Sequence, residues 1–258
     1  MKIFCCLLLL VPLAAAQTAA PVAASSPTST ASQTEALPPT PKQIAHMEEM
    51  LQDWPDLGRY RAANAALPPP AAGENRVVFM GDSITDAWGR STGIFFPGEP
   101  YINRGIGGQT TPQMLVRFWP DVIALQPKVV VILAGTNDIA GNTGPSTPEM
   151  IQENFMAMAD LATANGIRVV LASILPAADY PWRPGIDPKP VIRGLNEWMR
   201  AYCARKGYVY LDYYSSMVNA GQGMKSELTI DGVHPNAAGY AVMSPLAEKA
   251  IAEALGTK

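Results

Sequence analysis

Residues 77–86 read VVFMGDSITD, an apolar run that stops at a glycine and continues in small polar residues. The β-favouring residues before Gly81 predict a buried strand, and the glycine predicts the turn at which that strand ends. Ser83 therefore follows the carboxyl end of a strand. Ligands bind at that end of open α/β sheets, because the loops that leave the strands meet there. This position makes Ser83 a candidate nucleophile. The alternative interpretation is that Ser83 only caps the helix that follows, as many such serines do.

Apolar runs that predict strands alternate along the chain with segments that predict helices. Further apolar runs predict strands near 101–103 and at 129–133, 168–175 and 208–211. Segments with helical periodicity lie at 112–125, 148–165, 191–206 and 236–255. Strands that alternate with helices imply right-handed crossovers and a parallel sheet. The sequence therefore predicts an α/β fold, a three-layer α/β/α sandwich around a sheet of about five parallel strands.

The overall composition suits one soluble globular domain. The chain has 258 residues, of which 48% are hydrophobic, and a net charge of -3. No cluster of lysine and arginine exists to neutralise a phosphate backbone, so nucleic acid is not expected as a partner. One cysteine, Cys203, lies beyond the first six residues, in a helical pattern without a nearby histidine. We expect it to be a small core residue.

The first residues resemble an export signal. Residues 1–16 contain one early lysine, an apolar core and three alanines before Gln17. This is the pattern of a signal peptide cleaved after Ala16, and its apolar core is too short to cross a bilayer. We therefore expect a secreted or periplasmic protein without a stable membrane anchor. Residues 17–41, mostly Ala, Pro, Ser and Thr, are predicted to be a flexible linker.

Residues 42–75 precede the first strand and are predicted to form an N-terminal helical brace. Ile44, Met47, Leu51 and Trp54 recur at helical spacing, which predicts a helix that packs through this apolar stripe and ends at Pro55. The catalytic domain is predicted to span residues 76–258.

A serine hydroxyl becomes an effective nucleophile only when a neighbouring base accepts its proton, and histidine suits that task. The chain has two histidines. His46 belongs to the predicted brace, whereas His234 lies in a loop directly before the last helix, so His234 is the candidate base. Asp231, three residues earlier, is placed to hold one ring nitrogen while the other faces Ser83.

Acyl transfer also needs hydrogen-bond donors for the oxygen that becomes negative in the tetrahedral intermediate. Three candidates follow strands: the backbone N–H groups of Ser83 and Gly108 and the side-chain amide of Asn137. Taken singly, the glycine is explained by a turn and the asparagine by a helix cap or an Asx turn. Together with Asp231 and His234 they predict one active site at one edge of the sheet. Asp82 and Asp138 are predicted to stabilise turns and helix starts.

Four stretches resemble, in order and approximate spacing, the four motif blocks of the SGNH, or GDSL, hydrolase family. They are GDS at 81–83, GIGG at 105–108, GTND at 135–138 and DGVHP at 231–235. The resemblance covers about residues 76–255. The leucine that usually follows the family's serine is Ile84 in this chain.

The resemblance implies a role for each matching residue. Ser83 would be the nucleophile, Gly108 and Asn137 the oxyanion donors in addition to Ser83, His234 the base and Asp231 its orienting partner. It also implies a flavodoxin-like sheet and neither a metal nor an organic cofactor.

Loops that leave the strands on the same side should border the site. Residues 177–190 contain Tyr180, Trp182 and Arg183, and Phe95 lies in another such loop. Aromatic and cationic side chains beside an ester site could contact a sugar ring, and an exported enzyme would meet polysaccharide. The alternative, that Tyr180 and Trp182 only pack the loop down, is equally compatible with the sequence.

These observations favour an exported serine esterase that removes short acyl groups, with acetyl on carbohydrate as the leading candidate, through an acyl-serine intermediate. The nearest alternative is a lysophospholipase or thioesterase acting on longer acyl chains. Two other classes are a metal-dependent phosphoesterase that uses Asp82, Asn137, Asp231 and His234, and an inactive carbohydrate-binding descendant.

Overall fold

The computed structural model describes residue 38 and residues 40–256. The chain divides into two compact units, residues 1–40 and 41–258, and every element named below belongs to the second. The predicted signal peptide and, apart from residues 38, 40 and 41, the predicted linker lie outside the described residues. Within the described part, no helix combines the length and the apolar character needed to cross a membrane.

The described strands form one parallel sheet. They are β1 (Val77–Gly81), β2 (Tyr101–Gly105), β3 (Val129–Leu133), β4 (Arg168–Ala172) and β5 (Val209–Leu211). Their order across the sheet is β2-β1-β3-β4-β5, and each neighbouring pair is parallel. The predicted parallel α/β fold is confirmed. Because β1 lies between β2 and β3, the loops after these three strands emerge side by side.

Nine α-helices lie within the described residues. They are α1 (Pro41–Gln52), α2 (Arg61–Ala66), α3 (Ser83–Ala87), α4 (Thr111–Asp121), α5 (Thr136–Ile139), α6 (Pro148–Ala164), α7 (Lys189–Lys206), α8 (Tyr214–Met217) and α9 (Ala237–Leu255). Short 3-10 turns cover Ile123–Leu125 and Ser226–Leu228.

Alternate residues of each strand enter two different hydrophobic cores, as the twofold period of a strand requires. In β1, Val78 and Met80 pack into the core that α4, α6 and α7 cover. Val77 and Phe79 pack into the opposite core, which α9 covers together with α3 and α8. The sheet is therefore buried on both faces, which explains why its strands are continuous apolar runs.

The N-terminal helix differs from its prediction. α1 is present, but the side chains of Ile44, Met47 and Leu51 are exposed, so the predicted packing stripe is wrong. Amphipathic spacing indicates a helix with an apolar side without establishing that any surface covers it. The contacts with the sheet come instead from the turn after α1, where Tyr60 is buried and its hydroxyl donates to the carbonyl oxygen of Gly105.

Two glycines allow α3 to lie directly against the ends of the strands. A Cβ atom on Gly105 would be 2.1 Å from the backbone nitrogen of Asp86, and one on Gly81 would be 2.1 Å from the hydroxyl of Thr85. Such contacts are too short for any side chain. This close approach fixes the position of α3, whose first residue is Ser83.

Candidate active site

Ser83, His234 and Asp231 lie in line at the carboxyl end of β1. The Oγ atom of Ser83 is 2.9 Å from Nε2 of His234. The Nδ1 atom of the same ring is 2.8 Å from Oδ2 of Asp231. The ring therefore contacts the hydroxyl with one nitrogen and the carboxylate with the other, an arrangement that can move a proton away from Ser83.

The loop at residues 229–236 holds the acid and the base on the same side. The backbone N–H groups of Val233 and His234 donate to Oδ1 of Asp231 at 3.0 and 2.8 Å. The hydroxyl of Thr229 donates to the carbonyl oxygen of His234. Burial opposes ionisation of Asp231, but the N–H and ring of His234 and the N–H of Val233 outweigh it, so the pKa of this carboxyl is lowered. Asp231 is consequently a stable anion next to the ring.

Asp82 caps the N-terminus of α3, the helix that begins at Ser83. Its Oδ1 atom accepts the backbone N–H of Ile84 at 2.9 Å, so its predicted capping role is confirmed. The carboxyl is buried, which raises its pKa to about 6 against the opposing effects of the Ile84 N–H and the charge on His234.

Gly108 and Asn137 lie beside Ser83, at the ends of the neighbouring strands. Gly108 is exposed and has a φ of +77°, in the left-handed region that favours glycine. A Cβ atom on the preceding Gly107 would be 3.9 Å from the Cβ of Ser83. The Nδ2 atom of Asn137 donates to the carbonyl oxygen of Gln109 at 2.9 Å, which fixes the amide nitrogen next to the 107–109 loop.

Asp138 stabilises a helix start, as predicted, but the helix is not its own. Its carboxylate accepts the backbone N–H and the hydroxyl of Thr111, the first residue of α4. Burial raises the pKa of Asp138 against these two hydrogen bonds. The contact joins the loop after β3 to the helix after β2, and so fixes two parts of the site relative to each other.

Asn142 connects both candidate oxyanion donors and was not identified from the sequence. Its Nδ2 atom donates to Oδ1 of Asn137 at 2.9 Å and to the carbonyl oxygen of Gly108 at 3.3 Å. Its own Oδ1 accepts the indole N–H of Trp182 at 3.1 Å. Nothing in its local sequence distinguishes it from a loop asparagine, because two of its partners, Gly108 and Trp182, are remote in the chain.

Arg117 lies beneath the site and was also missed. Its side chain is fully buried, and its guanidinium donates to the carbonyl oxygens of Gly81 and Arg104, to Oε1 of Gln109 and to Oδ2 of Asp121. It thereby ties the end of β1 to the 105–109 loop. An available signal was an arginine between Met114 and Phe118, with an aspartate four residues later, which is typical of a buried ion pair on a helix.

Two open cavities flank Ser83. The first has a volume of about 590 Å³ and adjoins Gly107 and Gly108. Its lining is Asp53, Trp54, Asp56, Ile106, Gly107, Gly108, Gln109, Gln113, Gly141, Asn142, Thr143, Trp182 and Arg183. The second has a volume of about 440 Å³ and includes Ser83 and His234 in its lining. An ester at Ser83 therefore has room on both sides.

The predicted substrate contacts separate into two groups. Trp182 and Arg183 line the first cavity, and the Trp182 ring centre is 6.1 Å from that of His234. Tyr180 is buried and stacks beneath Trp182, with ring centres 5.2 Å apart, so it packs the loop rather than facing the cavity.

Phe95 is also displaced from the predicted site. It packs edge to face against Phe79, Trp88 and Phe96 and lines neither cavity. The prediction that it borders the substrate is not supported, because this loop folds back onto the core through its aromatic rings.

Outside this site, the reactive residues in the described part of the chain form no candidate metal centre. No group of three or more His, Cys, Asp or Glu residues among those the structure describes is arranged to hold a metal ion. Cys203 is buried and unpaired, as predicted, and burial raises the pKa of its thiol to about 12. A thiol in that state is a poor nucleophile.

The chain is similar to one described protein family and to two curated esterases. A family model described as GDSL-like lipase/acylhydrolase family matches residues 79–242. The acetylxylan esterase of Xylanibacter ruminicola is 26% identical over 239 residues, covering 79% of this chain and 47% of the relative. The chain thus spans about half the length of that relative. Esterase TesA of Pseudomonas aeruginosa is 29% identical over 177 residues, covering 64% of this chain and 81% of the relative.

A solved structure agrees in fold over most of its length. The crystal structure of a GDSL-like lipase from Bacteroides thetaiotaomicron has a TM-score of 0.76 and 44% sequence identity. The match covers 78% of this chain and 99% of that one.

Proposed function

The chain belongs to the GDSL-like lipase/acylhydrolase family, and from that premise we propose that it is an exported serine esterase that removes short acyl groups, above all acetyl, from carbohydrate. Membership of the family makes the chain a carboxylic ester hydrolase. The observation that carries the proposed mechanism is the 2.9 Å contact between Ser83 Oγ and His234 Nε2, with Asp231 on the other ring nitrogen.

In the first half of the reaction Ser83 Oγ attacks the ester carbonyl carbon while its proton passes to Nε2 of His234. The backbone N–H groups of Ser83 and Gly108 and the amide of Asn137 donate to the resulting oxyanion. When the intermediate collapses, the bond to the alcohol oxygen breaks and His234 returns the proton to that oxygen. The alcohol leaves, and the acyl group remains on Ser83.

In the second half, a water molecule attacks the acyl-serine carbonyl and gives a proton to His234. Collapse of this second intermediate breaks the bond to Ser83 Oγ, which recovers the proton from His234, and the free acid departs. Asp231 stabilises the positively charged ring in both halves. Its lowered pKa keeps it ionised throughout.

The lining of the first cavity supports a polar substrate. It combines two indoles with carboxylates, amides and a guanidinium, and Ile106 is the one aliphatic side chain that lines it. A long acyl chain would need an apolar surface to replace its contact with water. The acetylxylan esterase relative agrees with a carbohydrate ester, although its own length is about twice the matched region. The proposal of export rests on the sequence of residues 1–16.

The test is a panel of esters on the wild-type protein and the Ser83→Ala variant. We expect release of acetate from acetylated xylan, faster turnover of acetyl esters than of lysophospholipid, and a loss of about three orders of magnitude or more in Ser83→Ala. The control is Ser244→Ala, which removes a hydroxyl bonded within α9. Near-full activity of Ser83→Ala would refute the nucleophile, and a clear preference for lysophospholipid would refute the substrate class.

A further inference from the structure

The turn between α1 and α2 forms one wall of the first cavity. Asp53, Trp54 and Asp56 line this cavity opposite the 106–109 loop. The turn lies before residue 79, where the match to the family model begins. The residues that the structure places around the substrate thus extend beyond the motif blocks, into the segment that sequence analysis treats as a brace.

The wall is fixed to the domain through its main chain. The carbonyl oxygen of Trp54 accepts the side-chain N–H of Gln113 at 2.6 Å, and that of Pro55 accepts the side-chain N–H of Gln109 at 2.7 Å. The carboxylate of Asp53 accepts the backbone N–H groups at 57 and 58, both at 2.8 Å, and closes the turn. Both anchoring bonds are accepted by main-chain oxygens, so neither depends on the indole of Trp54.

Gln109 links this wall to the candidate oxyanion site. Its side chain holds Pro55, and its own backbone carbonyl accepts the amide N–H of Asn137 at 2.9 Å. The same residue thus contacts both the wall and an oxyanion donor. This one residue therefore connects the wall directly to Asn137.

A second indole lines the same cavity from the other side of the fold. Trp182 belongs to the loop after β4, and its indole N–H is bonded to Asn142. The side chains of Trp54 and Trp182 are 37% and 40% exposed. Two partly exposed indoles on one cavity, interspersed with carboxylate, amide and guanidinium groups, suit a ligand with both C–H faces and hydroxyls. A pyranose ring has this chemistry, since indoles cover its apolar faces and polar side chains bind its hydroxyls.

We propose that this cavity is the binding site for a sugar ring of the substrate and that Trp54 is a specificity-determining residue. This inference rests on the proposed function and adds to it the location of the sugar and the role of the N-terminal turn. The carboxylate of Asp53 contributes as an acceptor for a sugar hydroxyl, since each of its oxygens retains lone-pair capacity beyond the bond to the turn.

The kinetic test compares two esters that differ in their alcohol. For Trp54→Ala, we expect kcat/KM on acetylated xylotetraose to fall at least tenfold relative to kcat/KM on 4-nitrophenyl acetate. Trp54→Phe should recover most of this ratio. Trp119→Ala is the matched control, because Trp119 is 59% exposed on α4 and does not line the cavity. An unchanged ratio in Trp54→Ala overturns the inference.

A binding measurement separates this inference from the proposed function. Calorimetry with acetylated xylotetraose is performed on Ser83→Ala and on the double variant Ser83→Ala/Trp54→Ala. We expect the double variant to bind at least fivefold more weakly, and equal binding overturns the role of Trp54. If the wild-type protein fails to hydrolyse acetylated sugars while Trp54 still governs binding, the proposed function fails and the sugar site stands.

The acyl group is the competing occupant of the cavity. A series of 4-nitrophenyl esters from acetate to octanoate tests it. If Trp54→Ala changes the preference among these chain lengths and leaves the sugar ester unaffected, the cavity binds the acyl group and the inference is wrong. We expect the same chain-length profile as in the wild-type protein.

Discussion

Asn142 donates a hydrogen bond from its side-chain nitrogen to the side-chain oxygen of Asn137, across 2.9 Å. This bond determines which end of the Asn137 amide faces the 107–109 loop. With its oxygen held by Asn142, Asn137 presents its nitrogen toward the carbonyl of Gln109, the orientation that the proposed oxyanion role needs. A donor that is oriented before the substrate arrives requires no reorganisation during the reaction.

Replacing Asn142 should therefore lower kcat more than it changes KM. We expect Asn142→Ala to lower kcat on 4-nitrophenyl acetate roughly tenfold, below the ~10²-fold or greater loss typical when an oxyanion donor itself is removed. Asn142→Asp should be worse, because its oxygen would face the oxygen of Asn137. Asn165→Ala removes an asparagine at the far end of α6 and should leave kcat unchanged. An increase in KM alone would show that Asn142 acts only in binding.

Asp231→Asn should leave the fold intact and nearly abolish turnover. The asparagine can still accept the N–H groups of Val233 and His234 but cannot stabilise a charged ring, so kcat should fall by about 10³ to 10⁴. Circular dichroism and steady-state kinetics measure the two effects. Asp160→Asn, which alters an exposed pair with Lys206, is the control. A fall of less than tenfold would contradict the proposed role of Asp231.

The wild-type rate should depend on pH through the ring of His234. Because the pKa of Asp231 is lowered, this carboxylate stays ionised on mild acidification and does not itself cause a loss of rate. Only a neutral imidazole ring can accept the proton of Ser83. We therefore expect kcat/KM to fall as the pH decreases. Asp82, whose pKa is raised to about 6 and whose Oδ2 atom lies 3.5 Å from the amide nitrogen of Asn137, can steepen this fall. A value of kcat/KM that stays flat on acidification would refute His234 as the base.

Asp82→Asn should change how stability depends on pH. Burial raises the pKa of Asp82 from 3.8 to about 6 in the folded protein, so the folded state binds this proton more tightly than the unfolded chain. The group therefore stabilises the fold below about pH 4, and that contribution is lost as the pH rises through 6. The free energy of unfolding of Asp82→Asn, relative to wild type, should increase over this window by roughly 2 kcal/mol. Urea denaturation at pH 4, 5, 6 and 7 measures the free energy of unfolding of both proteins. A difference between them that does not change with pH would refute the prediction.

Arg117→Met should destabilise the protein strongly. It removes the guanidinium donor from the carboxylate of Asp121 and from the carbonyl oxygens of Gly81 and Arg104, all of them buried, and leaves the charge of Asp121 without its cationic partner. Loss of one partner of a buried ion pair costs about 3 to 5 kcal/mol. Urea denaturation gives the value, with Arg193→Ala on the exposed side of α7 as a control expected within about 0.5 kcal/mol of wild type. A decrease of less than 1 kcal/mol in the free energy of unfolding would contradict this prediction and show that other groups replace the lost hydrogen bonds.

The strands were predictable because each one is a buried apolar run between polar turns. The exception is the end of β4, predicted to reach residue 175 but ending at Ala172. Ser173, Ile174 and Leu175 are all buried, yet the backbone of Ile174 bonds to the side chain of Asn196 on α7 instead of to a strand. The hydrophobicity of a segment predicts that it is buried, but it does not predict which group its backbone hydrogen-bonds. The four-residue helices α5 and α8 were missed because they are too short to show a period.

The geometry of the site was predictable only where a motif placed the chemistry after a strand. Ser83, Gly108, Asn137 and His234 each follow a strand or precede a helix, so the topology alone brings them together. Gln109, Arg117 and Trp54 act through contacts between segments that are remote in the sequence. Asn142 joins its near neighbour Asn137 to Gly108 and Trp182, which are also remote. Such contacts have no local signature, and for the same reason Phe95 was misplaced.

The attachment of the 53–56 turn through the carbonyl oxygens of residues 54 and 55 has an evolutionary consequence. A change of side chain at position 54 removes neither anchoring bond, so any residue that tolerates the local backbone can be tried there without disturbing the machinery at Ser83. Single substitutions at this position can move the enzyme among related esters while its chemistry is retained. A library randomised at position 54 is accordingly the most economical starting point for changing the substrates that this enzyme accepts.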